Sequence, residues 1–279
     1  MIDVKKSLLT REQDGSIKLV VTLPQADIAK IQEEVINKAV EEAELPGFRK
    51  GKAPRNVVEE RMDAGKIQEE VLKKLLPPAY IKAVEEHDLK PVMNPKIHIQ
   101  QVEPGKDWSF EAITCEAPDI KLNDYKEKVK SITAKSKIVL PGKEPQEPNF
   151  DEIMQAILGT TEVAIPSVLV QQESDRLLAQ TLDEIKKLGL TLDQYLSSTG
   201  KNPEALRKEF EEKAKNDMKL EFVLQKIADE EKITVEQKEI DEAIQKAKDP
   251  REKENLMRNH YLLASILRQQ KTLDFLKNL

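Results

Sequence analysis

The sequence predicts an α+β protein, with a small amino-terminal α+β domain followed by an elongated all-α carboxy-terminal domain carrying helical arms. Three observations carry this prediction. Short apolar runs punctuated by turn residues, the pattern of β-hairpins, occur before residue 117. From Ile120 onward apolar residues recur every three or four positions almost to the end. A proline-rich stretch, "KSKIVLPGKEPQEPNF" at about residues 135–150, interrupts this helical pattern and reads as a linker. The expected domains are therefore residues 1–117 and 118–279.

In the first domain "KSLLTR" and "IKLVVTL" flank Asp14-Gly15, which predicts a hairpin with a type I′-like turn. A helix is expected from Gln25 to Glu44, because Ile28, Ile31, Val35, Ala39 and Ala43 recur at helical spacing, and Leu45-Pro46-Gly47 should stop it. Pro54 suits the first turn of a helix over "RNVVEERM". Ile67, Val71, Leu72, Leu75 and Leu76 predict another helix, which Pro77-Pro78 should kink or divide. A second hairpin follows: "KIHIQQV", a Pro104-Gly105 turn, then "DWSFEAITCEA" with Trp108, Phe110 and Ala112 on one face.

The second domain has well-marked helix boundaries. Pro166 opens a run through Val170, Leu177, Leu178, Leu182, Ile185 and Leu188 that Gly189 closes. Thr191 with Gln194 forms a capping-box pair, Asn202-Pro203 starts a helix through Phe210, Val223, Leu224 and Ile227, and Thr234 with Gln237 should cap a shorter one. Asp249-Pro250 starts the last, through Leu256, His260, Leu263, Leu267 and Phe275. The runs near 203–230 and 250–278 would each reach about 40 Å and are expected to project as arms.

Composition narrows the functional classes. With 45 basic and 51 acidic residues in 279 the net charge is −6, so any anionic partner must be met by a local patch rather than by the whole surface. One cysteine, Cys115, forms no internal disulfide and is expected in the core of a cytoplasmic protein. The amino terminus lacks the apolar stretch of a signal peptide, and no run approaches the roughly 18 apolar residues of a membrane helix. His87, His98 and His260 lie far apart with no second ligand at helical spacing, so no metal site is expected. The adjacent acidic pairs, Glu33-Glu34, Glu41-Glu42, Glu59-Glu60, Glu85-Glu86 and Glu211-Glu212, point to different sides of their helices and read as solvated faces. No nucleophile elbow or Cys/His signature is present, so no catalytic residue is expected.

One stretch resists a bland reading. In "ELPGFRKGKAPR", residues 44–55, Arg49, Lys50, Lys52 and Arg55 crowd around two glycines, two prolines and Phe48. It is not a phosphate-binding P-loop, because Gly47 and Gly51 are separated by three residues rather than four and Ala53 stands where a hydroxyl would meet magnesium. The glycines shape a tight excursion, Phe48 has no periodic partner to bury it, and the cations suit carboxylates and RNA phosphates.

At these residues the sequence resembles the bacterial trigger factor family, chaperones that sit at the ribosomal tunnel exit. Gly47, Phe48, Arg49, Gly51 and Pro54 match its G-F-R-x-G-x-x-P ribosome-docking signature. The likeness continues through "GLTLDQYLSSTGKNPEALRKEFEEKAKNDMKLEFVLQKIADEEKIT" and the terminal "KTLDFL". The resemblance implies a ribosome-binding domain at 1–117 and a helical, substrate-cradling chaperone domain at 118–279. It implies that Gly47, Phe48, Arg49, Lys50, Gly51, Lys52 and Pro54 bind the large ribosomal subunit near the exit tunnel, through a ribosomal protein and rRNA. Nascent or unfolded polypeptides are the other expected partner, with a weak homodimer besides. Neither DNA nor a membrane is expected as a partner, and no cofactor is required.

The chain departs from the family in one respect. An isomerase domain of the FKBP type usually separates the docking domain from the arms, and the stretch from about Lys130 to Ile165 is too short for it. Peptidyl-prolyl isomerase activity is therefore expected to be absent. The expected function is an ATP-independent, ribosome-associated chaperone that delays misfolding and aggregation of nascent chains. A ribosome-independent holdase or helical adaptor is the alternative.

Overall fold

A computed structural model describes residues 4–44, 46, 48–136, 149–247 and 249–279, so that Leu45, Gly47 and most of the expected linker (137–148) lie outside the described residues. The chain forms two compact units. The first comprises Met1–Ala117 with Pro166–Leu169, and the second Pro118–Ile165 with Val170–Leu279.

The first unit is built on four antiparallel strands, β1 (Lys6–Arg11), β2 (Ser16–Leu23), β3 (Lys96–Gln101) and β4 (Trp108–Cys115), in the order β1-β2-β4-β3. Alternation along β2 sends Ile17, Leu19, Val21 and Leu23 to one face, and the register pairs Val21 with Phe110 and Leu19 with Ala112, so both strands bury the same face. Helices α1 (Gln25–Glu42) and α3 (Ala64–Glu86) pack their buried residues, Ile28 and Val35, and Val71, Leu75, Ala79 and Ala83, into the same core. Cys115 is fully buried at the end of β4.

Two details of this unit differ from the sequence reading. The first hairpin does not turn through a type I′ pair: among residues 12–15 only Gly15 has positive φ (85°), and its amide bonds the Glu12 carbonyl at 3.2 Å. The Glu12 amide in turn bonds the Ser16 carbonyl at 2.8 Å, leaving a three-residue loop that closes on a left-handed glycine. Pro77 and Pro78 do not divide α3, which runs unbroken for 23 residues. Both prolines sit on its exposed side, where water can satisfy the carbonyls of Lys73 and Lys74 that lose a donor, while buried Leu75 and Ala79 hold the flanking turns.

Between α1 and α3 lies α2 (Arg55–Glu59), only five residues long, with Pro54 at its N-cap rather than in its first turn. Asp14, in the first hairpin turn, accepts a hydrogen bond from the Ser167 amide at 3.3 Å and another from its hydroxyl. It thereby caps the start of α6 (Ser167–Lys187) from 153 residues away.

The second unit is helical. It contains α4 (Tyr125–Ser136), α5 (Phe150–Thr160), α7 (Leu192–Thr199), α8 (Pro203–Glu230), α9 (Gln237–Lys246), α10 (Pro250–Arg258) and α11 (His260–Asn278), with most of α6. A two-residue ladder pairs β5 (Ile120–Lys121) with β6 (Glu162–Val163). Tyr125, Val129, Ile153, Ile157, Val223, Ile227 and Leu276 form one core, and Ile240, Ile244 and Leu263 a smaller one. At 28 residues α8 is about 42 Å long.

The Thr191–Gln194 capping box and the Asn202 cap stand as the sequence indicates. The cap of α9 does not: Glu236 with Glu239 forms that box, two residues beyond Thr234. Nor is the last run one helix. Asn259 leaves helical geometry (φ −112°, ψ 37°), and both its amide and its side-chain nitrogen bond the Asn255 carbonyl at 3.0 Å, ending α10 before α11 begins. Among the described residues no helix is long and apolar enough to cross a membrane.

Candidate functional site

The basic loop leaves α1 at Ala43, whose extended conformation ends the helix, and enters α2 at Arg55. Its base is tied by the Gly51 amide, which donates to the Ala43 carbonyl at 3.1 Å, and the Lys52 amide bonds the Arg49 carbonyl at 2.9 Å. Gly51 has φ 67°, and a Cβ there would stand 2.6 Å from the Glu41 carbonyl oxygen. Only glycine satisfies both conditions. Ala53 is buried and anchors the exit of the loop.

These constraints leave Phe48 44% exposed. Arg49 is exposed, and neither it nor Lys52 forms an ion pair among the described residues. Lys50 approaches Glu44 at 3.5 Å, an exposed pair weak enough to exchange for another partner. Phe48, Arg49, Lys50, Gly51, Lys52 and Pro54 thus lie together, while Gly47 falls outside the described residues. The loop offers an aromatic anchor beside exposed cations, a surface suited to phosphate and carboxylate groups.

Arg55 belongs to a different arrangement. Its guanidinium meets Glu33 in a bidentate contact at 2.5 and 2.8 Å, Asn37 at 3.3 Å and Glu59 at 2.5 Å. The hydrogen bonds it donates to Glu33 and then to Glu59 raise its pKa, and in return Arg55 holds the Glu33 carboxyl below its usual range. Glu33, Asn37 and Glu59 carry no motif; the available signals are the i,i+4 spacings of Arg55 with Glu59 on α2 and of Glu33 with Asn37 on α1, and neither joins the two helices.

Other chemistry is weakly supported. The Ser7 hydroxyl donates to Glu86 at 2.5 Å and lies 2.9 Å from His87 Nε2, so the acid contacts the hydroxyl rather than orienting the imidazole, unlike a nucleophile relay. Burial pushes the Cys115 thiol up to about 11, which keeps it protonated near neutral pH. A cavity of about 200 Å³ in the first unit is lined by Gln32, Gln68, Val71, Val102 and Trp108 among others, with no ionisable side chain. Among the described residues no cluster of His, Cys, Asp or Glu could hold a metal.

In the second unit large apolar side chains are left in water. Leu188, Leu190 and Leu192 are exposed around the α6–α7 turn, and Met257, Tyr261, Leu262 and Ile266 on α10 and α11.

A sheet-bearing unit with an aromatic and basic loop, followed by a helical unit with exposed apolar side chains, is the trigger factor fold. A solved structure described as "Promiscuous Substrate Recognition in Folding and Assembly Activities of the Trigger Factor Chaperone" superposes with a TM-score of 0.64, covering 97% of this chain and 99% of that one at 14% identity. The family description "Bacterial trigger factor protein (TF)" matches residues 6–140, and "Bacterial trigger factor protein (TF) C-terminus" matches 122–278. The chain belongs to the bacterial trigger factor family. The trigger factors of Staphylococcus aureus strains JH9 and Newman are each 41% identical over 108 residues, which is 39% of this chain. The matched region spans 25% of the length of these relatives.

Proposed function

We propose that the chain is an ATP-independent, ribosome-associated chaperone of the cytoplasm. The loop of Gly47, Phe48, Arg49, Lys50, Gly51, Lys52 and Pro54 docks on the large ribosomal subunit beside the tunnel exit, reaching a ribosomal protein and rRNA. The helical unit offers weak apolar contacts to nascent polypeptides. Tethering raises the effective concentration of those contacts near the emerging chain, so none need be strong and release needs no nucleotide.

The observation that carries this reading is the loop: the family signature sits on a glycine-shaped turn that leaves Phe48 exposed and Arg49 and Lys52 without an ion-pair partner among the described residues. Family membership and the exposed side chains of α10 and α11 support the chaperone step. Peptidyl-prolyl isomerisation is not part of the proposal. Only residues 137–149 lie between α4 and α5, fewer than the roughly 50 residues of a small domain, and a proline-limited refolding assay should show no catalysis.

Co-sedimentation with intact ribosomes across a salt series tests the docking. The unaltered protein should bind in a salt-sensitive manner and Phe48→Ala/Arg49→Ala/Lys50→Ala should not, at unchanged helicity. Equal sedimentation of the two would move the ribosome-independent holdase or adaptor to the front.

A further inference from the structure

We propose that Arg55 is a positioning residue rather than a ligand for the docking partner: it braces α2 against α1 and so sets where Phe48, Arg49 and Lys52 stand. The inference rests on reading the loop as the docking element. In the sequence Arg55 is the fourth cation of the stretch and the one to which no role is given. In the structure Nη1 and Nη2 grip both oxygens of Glu33, Nη1 also reaches Asn37, and Nε reaches Glu59. One side chain therefore joins two positions a turn apart on α1 to the end of α2.

The need for such a brace follows from α2 itself. Five residues are too few for a helix to hold by its own hydrogen bonds, and Val58 is its one buried side chain. Unbraced, the exit of the loop would be held only by the buried side chains of Ala53 and Val58, and its base by the Gly51–Ala43 hydrogen bond. With both stems fixed, the loop is ordered before docking and binding loses less conformational entropy. A lysine could not substitute, since an ammonium is a point charge without the planar fork that spans Glu33, Asn37 and Glu59.

Glu33→Gln separates the two roles by sign. It removes a negative charge near a loop that seeks anions and frees the Arg55 guanidinium, so a direct ligand would bind ribosomes as well or better. A positioning residue would bind worse. Binding to intact ribosomes across a salt series should be about three- to ten-fold weaker for both Glu33→Gln and Arg55→Lys. The slope of log affinity against log salt should be unchanged, because no contacting charge is lost. The thermal midpoint should also hold, and in the free protein the Gly51 amide should exchange faster with solvent in both variants. Undiminished binding by Glu33→Gln, or a lower salt slope in Arg55→Ala, would overturn the assignment. If the unaltered protein does not bind ribosomes, the docking reading fails separately; faster Gly51 exchange in the variants would still support the brace, and unchanged exchange would refute it.

Discussion

The two units treat apolar surface in opposite ways. In the first, a single core gathers one face of the sheet and the inner faces of α1 and α3, and the large apolar side chains left in water are scattered: Leu8, Phe48, Ile81, Val92 and Ile99 lie on different segments. Phe48 stands on a loop that glycine geometry and the Arg55 brace define, beside Arg49 and Lys52, which form no ion pair among the described residues. In the second unit the exposed side chains are grouped, Leu188 (76% exposed) with Leu190 and Leu192, and Tyr261 (81%) with Met257, Leu262 and Ile266. A fixed single contact suits one partner of constant shape. A spread of interchangeable contacts suits partners with none.

Core deletions should show the largest effects and keep the units distinct. Phe110→Ala should cost about 3–5 kcal/mol and Ile227→Ala about 2–5 kcal/mol, as both side chains are fully buried. Trp108 is the sole tryptophan and reports the first unit, whereas far-UV circular dichroism follows mainly the helical one. In urea titrations Phe110→Ala should shift the fluorescence midpoint more and Ile227→Ala the dichroism midpoint more; equal shifts in both probes would break the comparison.

Gly51→Val ranks next. Positive φ and the approach to the Glu41 carbonyl should strain the loop by about 1–3 kcal/mol and abolish ribosome co-sedimentation, with a smaller shift in the Trp108 transition than Phe110→Ala produces. Asp14→Ala should cost about 0.5–2 kcal/mol by uncapping Ser167 and its own turn, read as a lower urea midpoint.

That cap also titrates. The Ser167 hydroxyl depresses the Asp14 pKa, as Arg11 does for Glu116 and Lys126 for Glu231. Their folded-state values lie below the unfolded ones, so the stability they contribute is present above about pH 4 and lost as pH falls through the folded values. Urea midpoints should hold from pH 7 to about 5 and fall toward pH 3, with a smaller fall in Asp14→Ala. The smallest effect on stability belongs to the exposed groups: Leu188→Ser, Tyr261→Ser and Leu262→Ser should each stay within about 0.5 kcal/mol while the triple variant suppresses aggregation of unfolded proteins less well.

Much of this architecture was legible because its signals are local. The alternation in "IKLVVTL", the Thr191–Gln194 box and the Asn202-Pro203 start each rest on neighbouring residues, and each appears as read. Where tertiary contacts decide, reading fails. Pro77-Pro78 look like breakers until one sees that they face water while Leu75 and Ala79 are buried, and Asn259 ends a helix inside an otherwise continuous pattern. The loop signature was equally local, but which of its four cations are free was not. Glu33 lies 22 residues before Arg55, and nothing in the spacing ties them.

If docking resides in the loop and holding in the helices, one variant separates the two. For Phe48→Ala/Arg49→Ala/Lys50→Ala, ribosome co-sedimentation and suppression of aggregation of an unrelated unfolded protein would be compared with the unaltered chain. Ribosome binding should be lost while suppression in free solution stays at its original level. Loss of both together, or retention of ribosome binding, would contradict this division.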